Sequence, residues 1–120
     1  MKNFLTGLKN LWKWRKVIYK DRDWDHWFIY ELLKTKLRFQ AEYFRKHGMT
    51  ESAGQKALEM LECVELINKV QNEVYIDEAI EGLSVENWTD EMFNQAIKKH
   101  DDTKKELFKQ LETGMETWWD

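Results

Sequence analysis

No proline occurs anywhere in these 120 residues, and that absence limits the chain more than any residue it contains. Proline in a helix interior costs about 3 kcal/mol, so it is the usual helix terminator. Here only glycine and polar caps can end a helix, and glycine is confined to Gly7, Gly48, Gly54, Gly82 and Gly114. Runs of β-branched residues are missing. Glu, Lys, Leu, Met and Gln are plentiful, and all are good helix formers. The fold class is therefore all-α. The length suits one domain, residues 1–120, large enough to bury its own core.

Apolar spacing divides the chain into four helices. The first covers residues 3–19, with Phe4, Leu5, Leu8, Leu11, Trp12, Ile18 and Tyr19 at helical intervals. Asp21-Arg22-Asp23-Trp24-Asp25 starts the second, with Asp21 or Asp23 placed to cap free N–H groups. That helix runs from Trp24 to Lys46, carries Glu31, Lys34, Arg38, Glu42 and Arg45 as a polar stripe, and ends at His47-Gly48, where Gly48 suits a left-handed cap. Its wide aromatic-rich apolar face predicts the central position. Ser52 with Gln55 fits a capping box for the third helix, whose inner stripe includes Ala57, Val64, Ile67, Val70 and Val74 and fades near Asp77–Glu81. Residues 82–89 connect, with Trp88 as a plug over the bundle end. Thr89 caps the fourth helix, where Phe93, Ile97, His100, Lys104, Leu107, Phe108, Leu111, Met115 and Trp118 share one stripe. The pattern predicts a four-helix, mainly antiparallel bundle with short connections.

The net charge of −3 conceals a split. Residues 1–50 hold 12 Lys+Arg against 5 Asp+Glu, a net of +7; residues 51–120 hold 7 against 17, a net of −10. The halves attract one another within a fold or across a dimer, or the basic half faces an anionic partner. The first helix has no acid before Asp21. Packing it against the bundle with a solvated basic face is the simpler expectation. A basic amphipathic helix bearing Trp and Phe can instead lie on an anionic membrane. No apolar run approaches the roughly 18 residues of a membrane span, and Lys9 and Lys13 interrupt any signal-peptide core. Cys63 is the only cysteine, which excludes an intrachain disulfide and suits a reducing cytoplasm. No zinc spacing, phosphate-binding loop or nucleophilic triad is present. Neither a metal, a cofactor nor a catalytic residue is assigned.

Seven tryptophans supply the candidate chemistry: Trp12 with Trp14, Trp24 with Trp27, Trp88, and Trp118 with Trp119. Indole either anchors the polar edge of a core or stacks on something, and its N–H wants an acceptor. Trp24, Trp27, Trp118 and Trp119 occur beside Arg22, Lys36, His100 and Lys104, the combination of stacking surface and cation that suits a nucleotide. With Asp25 and His26 these residues form the candidate ligand site. Trp24, Trp27 and Trp118 are expected in one cluster, within one chain or across two, with Asp25 accepting an indole N–H or pairing with His100 or Lys104. His100 and Lys104 also admit a simpler role, a satisfied core histidine and a snorkelling lysine. Two exposed indoles on a frayed tail would be an aggregation liability, so residues 118–119 should dock on the bundle or on another copy.

Glu62-x-x-Glu65 followed by Glu78-x-x-Glu81 resembles the paired acids of all-α nucleotide pyrophosphohydrolases of the MazG type. Those acids hold Mg²⁺. In that family the pairs lie on facing helices, whereas here equivalent acids stand roughly 24 Å apart along one predicted helix, unless it breaks near Asn72. A solvated acidic face is the simpler reading. A broader resemblance covers most of residues 20–120. Asp21-Arg22-Asp23-Trp24-Asp25, then Phe28-Ile29-x-Glu31-Leu32-Leu33-x-x-Lys36-Leu37, Lys46-His47-Gly48 and the ending Trp118-Trp119-Asp120 resemble small all-helical accessory proteins encoded by tailed bacteriophages. That resemblance implies a phage origin, a host-cytoplasmic location and, by analogy, a role against host defence. The expected function is a non-enzymatic, homo-oligomeric binding protein that captures a small anionic nucleotide signal. The alternatives are an inhibitor that binds a host defence protein and, third, the Mg²⁺-dependent hydrolase. No nucleic acid partner and no membrane span are expected.

Overall fold

A computed structural model describes residues 2–119; Asp120, the last residue of the Trp118-Trp119-Asp120 ending, lies outside the described residues. Five α-helices form, all without a strand among the described residues: α1 (Lys2–Lys20), α2 (Trp27–His47), α3 (Ala53–Gln71), α4 (Val74–Ile80) and α5 (Asp90–Gly114). Short 3-10 turns occupy Val85–Asn87 and Met115–Thr117. The all-α expectation holds; the count of four does not.

The extra helix comes from a break in the third predicted one. Asn72 closes α3, and Glu73 adopts a left-handed backbone with φ 49°. The chain then turns into α4, which packs against α5, the two bordering a cavity lined by Tyr75, Ala79, Met92 and Ala96. Other local signals also moved. Asp25, rather than Asp21 or Asp23, accepts from the Trp27 N–H at the start of α2 (2.9 Å). Ser52 makes no side-chain cap, and Gly48 is extended rather than left-handed. Gly48 is still needed, because a Cβ there would collide with the Phe44 carbonyl and with Ala53. Thr89 caps α5 as expected, accepting from the Met92 N–H (3.2 Å).

The core is three helices wide. Seven of its thirteen buried members sit on α3: Ala53, Ala57, Met60, Cys63, Val64, Ile67 and Val70. Leu37, Ala41 and Phe44 of α2 cover one side, and Leu107, Leu111 and Trp118 the other. The central helix is therefore α3, not the aromatic-rich α2. The small Ala53, Ala57 and Cys63 let neighbours on both sides approach closely, which larger side chains at those positions would prevent. α2 and α3 form an antiparallel hairpin through residues 48–52. Contacts of Glu59 with Trp118 and of Cys63 with Gln110 show α5 antiparallel to α3. α2 and α5 consequently run parallel, and Gln40 reaches the Trp118 carbonyl (2.7 Å).

α1 stands outside this core. Only Gly7, Trp14 and Val17 among its described side chains are half-buried, and none is buried. Trp14 meets Phe39 of α2 edge-on at 5.3 Å between ring centroids, and the Lys13 ammonium lies 4.6 Å from the same ring. The outlying helix stretches the molecule to 63 × 34 × 22 Å, with a radius of gyration of 18.0 Å. A compact chain of this length would have about 14 Å.

Candidate interaction surface

The chain makes an elbow at residues 21–26, between α1 and α2, and four of the expected site residues meet there. Arg22 pairs with Asp25 at 3.1 Å and lies 5.1 Å over the Phe28 ring. Asp25 is thus held by Arg22 and by the Trp27 N–H, with the exposed His26 ring nitrogen 4.0 Å away. Trp24 is 81% exposed and borders an open cavity with Ile29 and Leu32. Asp21, Asp23 and Asp25 also line that cavity, against Arg22 and His26. The elbow offers a stacking face without a net positive clamp. Trp27 turns to the other side, edge-on to Phe28 at 4.9 Å, near Lys16 and Lys20 of α1.

The remaining expected site residues are elsewhere. Lys36 is exposed on α2. His100 lies half-buried on α5, its Nδ1 without a hydrogen bond, and Lys104 faces Asp101 at 3.9 Å. Trp118 sits at the opposite end of α2 from Trp27, beside Gln40, roughly 20 Å along the helix. The expected cluster of Trp24, Trp27 and Trp118 therefore does not form within one chain. Asp25 takes no indole N–H and pairs with neither His100 nor Lys104 in the described contacts. The reason is topological: alternate helices of the hairpin run parallel, so the tail returns to the His47 end.

The tail docks on its own bundle instead. Trp118 is 6% exposed, and its indole N–H donates to Glu59 at 2.9 Å. Its ring lies over Gly114, where a Cβ would come within 2.6 Å of a ring carbon. Trp119 stays exposed; Lys56 donates to its carbonyl at 2.8 Å and stands 4.9 Å over its ring.

Sequence reasoning missed a buried polar network. Lys34, assigned to the polar stripe of the second helix, is 6% exposed. Its ammonium donates to Gln71 (2.7 Å), Asn68 (3.0 Å) and Glu31 (3.0 Å), using all three protons. The Gln71 amide donates in turn to Glu31 (2.8 Å) and to the Trp27 carbonyl (3.2 Å). Burial pushes the Glu31 carboxyl up, but hydrogen bonds from Gln71 and Lys34 and the nearby Lys34 and Arg38 charges outweigh it, leaving it below its ordinary value. The available signal was Gln71 itself, a polar residue continuing the Ile67–Val70 stripe of α3.

The two acid pairs stay apart despite the break at Asn72. Glu62 lies beside Gln110, and Glu78 beside Gln95 and Lys99, positions separated by roughly 22 Å along α5. Among the described residues no group of three or more His, Cys, Asp or Glu is placed to hold a metal ion. Cys63 is fully buried, and burial, followed by the Glu62 and Glu59 charges, pushes its thiol up to about 11.

The largest unexplained feature is α1. Phe4, Leu5, Leu8, Leu11, Trp12, Ile18 and Tyr19 are 48% to 90% exposed. Their stripe is centred roughly 140° around the helix from the Trp14–Val17 edge that meets α2, at about 100° per residue. The apolar face thus points away from the body, the reverse of the simpler expectation. Lys9, Lys13, Lys16 and Lys20 fill the sector between that stripe and α2, and the Arg15 guanidinium stacks 3.6 Å over the Trp12 ring. Comparisons with protein-family models, with curated proteins and with solved structures find no match to this chain.

Proposed function

We propose that this protein is a non-enzymatic accessory protein that acts by binding, with α1 as its contact element and the α2–α5 body as a rigid scaffold. One observation carries the reading: seven large apolar side chains share one face of α1, interrupted by Arg15 where it stacks on Trp12, and that face turns away from the core. Soluble domains seldom leave such a stripe bare, and large exposed apolar patches mark contact sites. The dispersal of the acid pairs gives no support to hydrolysis, and the carboxylates of the elbow give little to capture of an anion. The phage-like pattern of residues 20–120 fits a small protein in a host cell whose task is to engage a host component.

The test compares three full-length proteins for retention by an extract of bacterial host cells. We expect the wild type and Trp24→Ala to be retained and the triple variant Leu8→Ser, Leu11→Ser, Trp12→Ser to be lost. Denaturing the wild type should release no nucleotide. Loss of retention in Trp24→Ala, with an intact nucleotide recovered from the wild type, would overturn this reading in favour of small-ligand capture at the elbow.

A further inference from the structure

We propose that α1 docks on an anionic lipid surface, lying in the plane of the bilayer interface with its outward stripe inserted among the acyl chains. The inference rests on the reading of α1 as the contact element and names what it contacts. Three observations carry it. The first is charge: α1 contains Lys2, Lys9, Lys13, Arg15, Lys16 and Lys20 and no acid, which favours a negative counterpart. The second is shape. The stripe runs along a helix of roughly 28 Å and mixes Phe, Leu, Trp, Ile and Tyr, and none of these residues lines the cavities at the elbow or beside Trp27. A bilayer needs no shape complementarity; it rewards apolar area on one side of a helix and cations beside it. The third is orientation. The lysine row borders the stripe on the flank toward α2, where ammonium groups can reach lipid phosphates while the stripe is immersed. No helix among the described residues is long and apolar enough to cross a membrane, so the contact is with the surface.

The molecule is arranged to present this helix. Residues 1–50 carry a net charge of +7 and residues 51–120 a net of −10. α1 rests against α2, within the basic half, and the net-negative second half of the chain lies on the other side of α2. An anionic surface would therefore attract the α1 side and repel the opposite one, which orients the protein before contact. A second copy fits less well. Two α1 helices would bring two acid-free basic helices together. The acidic half does offer charge, but its exposed apolar side chains are interrupted, Leu58 and Leu61 on α3 and Ile97 and Phe108 on α5.

Vesicle flotation of the full-length protein tests this. Vesicles of phosphatidylcholine alone are compared with vesicles containing roughly one third phosphatidylglycerol, a proportion that gives a strongly negative surface. We expect the protein to float with the anionic vesicles at least about tenfold more than with neutral ones, and raised salt to reduce binding. Lys9→Glu with Lys16→Glu, and separately Leu8→Ser with Leu11→Ser and Trp12→Ser, should each lower binding at least about tenfold. Circular dichroism on each variant checks that the helical body survives. Failure to float with anionic vesicles, while the apolar variant still loses retention by host extract, overturns the lipid assignment and leaves α1 as a contact element for a protein. Light scattering that shows an oligomer abolished by the same variants, without flotation, assigns the stripe to a second copy and equally overturns it. If the variants change neither retention nor flotation, α1 is not the contact element and both readings fall.

Discussion

Trp118 shows how much one side chain can hold when it joins three segments. It fills the α3–α5 side of the core, its N–H is taken by Glu59, its carbonyl is held by Gln40 of α2, and its ring occupies the space left by Gly114. Trp118→Ala should therefore cost about 3–5 kcal/mol, the usual range for removing a buried Trp, read as a loss of chemical-denaturation midpoint. Gly114→Ala should destabilise as well, because the added Cβ displaces the ring rather than a flexible side-chain end. If both variants match the wild type, the tail is not seated as described. The Lys34 network makes a pH prediction. The folded Glu31 carboxyl lies below its ordinary 4.5, so its contribution to stability is complete above that value and is lost as pH falls through the lower folded one. Glu31→Gln should flatten this acid limb of the Tm-against-pH curve, and an unchanged limb would show that Glu31 is not coupled to folding. Docking of the tail was legible for Trp118, since two indoles on an unsupported end are unfavourable, but Trp119 stays exposed. The partner was not: Glu59 reads as one more acid on an outer face, and nothing local marks it as an acceptor. Lys34 was illegible for the same reason, because its acceptors Asn68 and Gln71 stand on another helix.

At the scale of elements, periodicity located α1, α2 and α5 to within a few residues, because each repeats apolar residues over many turns. It failed at Asn72–Glu73, where no glycine or proline marks the break. Glu73 takes the left-handed conformation without the residue type that ordinarily signals it. The pattern also named the wrong central helix. α2 has the larger side chains, but position in a bundle is decided by which helix can be approached from both sides, and α3 has the small ones. For α1 the stripe was correct and its direction was not. Sequence gives the face of a helix but not whether a neighbour covers it. Since α1 buries none of its described side chains, the triple variant Leu8→Ser, Leu11→Ser, Trp12→Ser should shift stability by no more than about 1.5 kcal/mol, roughly 0.5 for each surface change. A shift of several kcal/mol in thermal unfolding would mean that the stripe is covered in the folded protein. Thr89→Ala provides a contrasting case. It should lose about 1 kcal/mol, because the Thr89 hydroxyl holds the first turn of α5.

The molecule is ordered by charge along the chain: α1 and α2 hold 11 Lys+Arg against 2 Asp+Glu, while α3 to α5 hold 7 against 11 and most of the remaining acid lies in the connections. That ordering was half-visible in the sequence as the split at residue 50, but whether the halves would neutralise one another or face outward depended on where α1 goes. Coulomb attraction alone would fold α1 back onto the net-negative second half of the chain. The structure keeps it beside α2, tied by Trp14 and Lys13 to Phe39 and by the capped turn at Asp25. The two arrangements differ in size, which solution scattering measures directly. At high ionic strength, where long-range attraction between the halves is screened, the monomer should show a radius of gyration near the 18.0 Å of the extended form. A chain with α1 folded across α3 and α5 would approach the roughly 14 Å of a compact domain. If lowering the salt drives the value from the first to the second, the acidic half competes for α1, and the extended form is only one state of a charge-controlled equilibrium. A value that stays near the extended one at every salt concentration, with Phe39→Ala shifting it, would show that the Trp14–Phe39 contact sets the direction of the helix and leaves its apolar face permanently available.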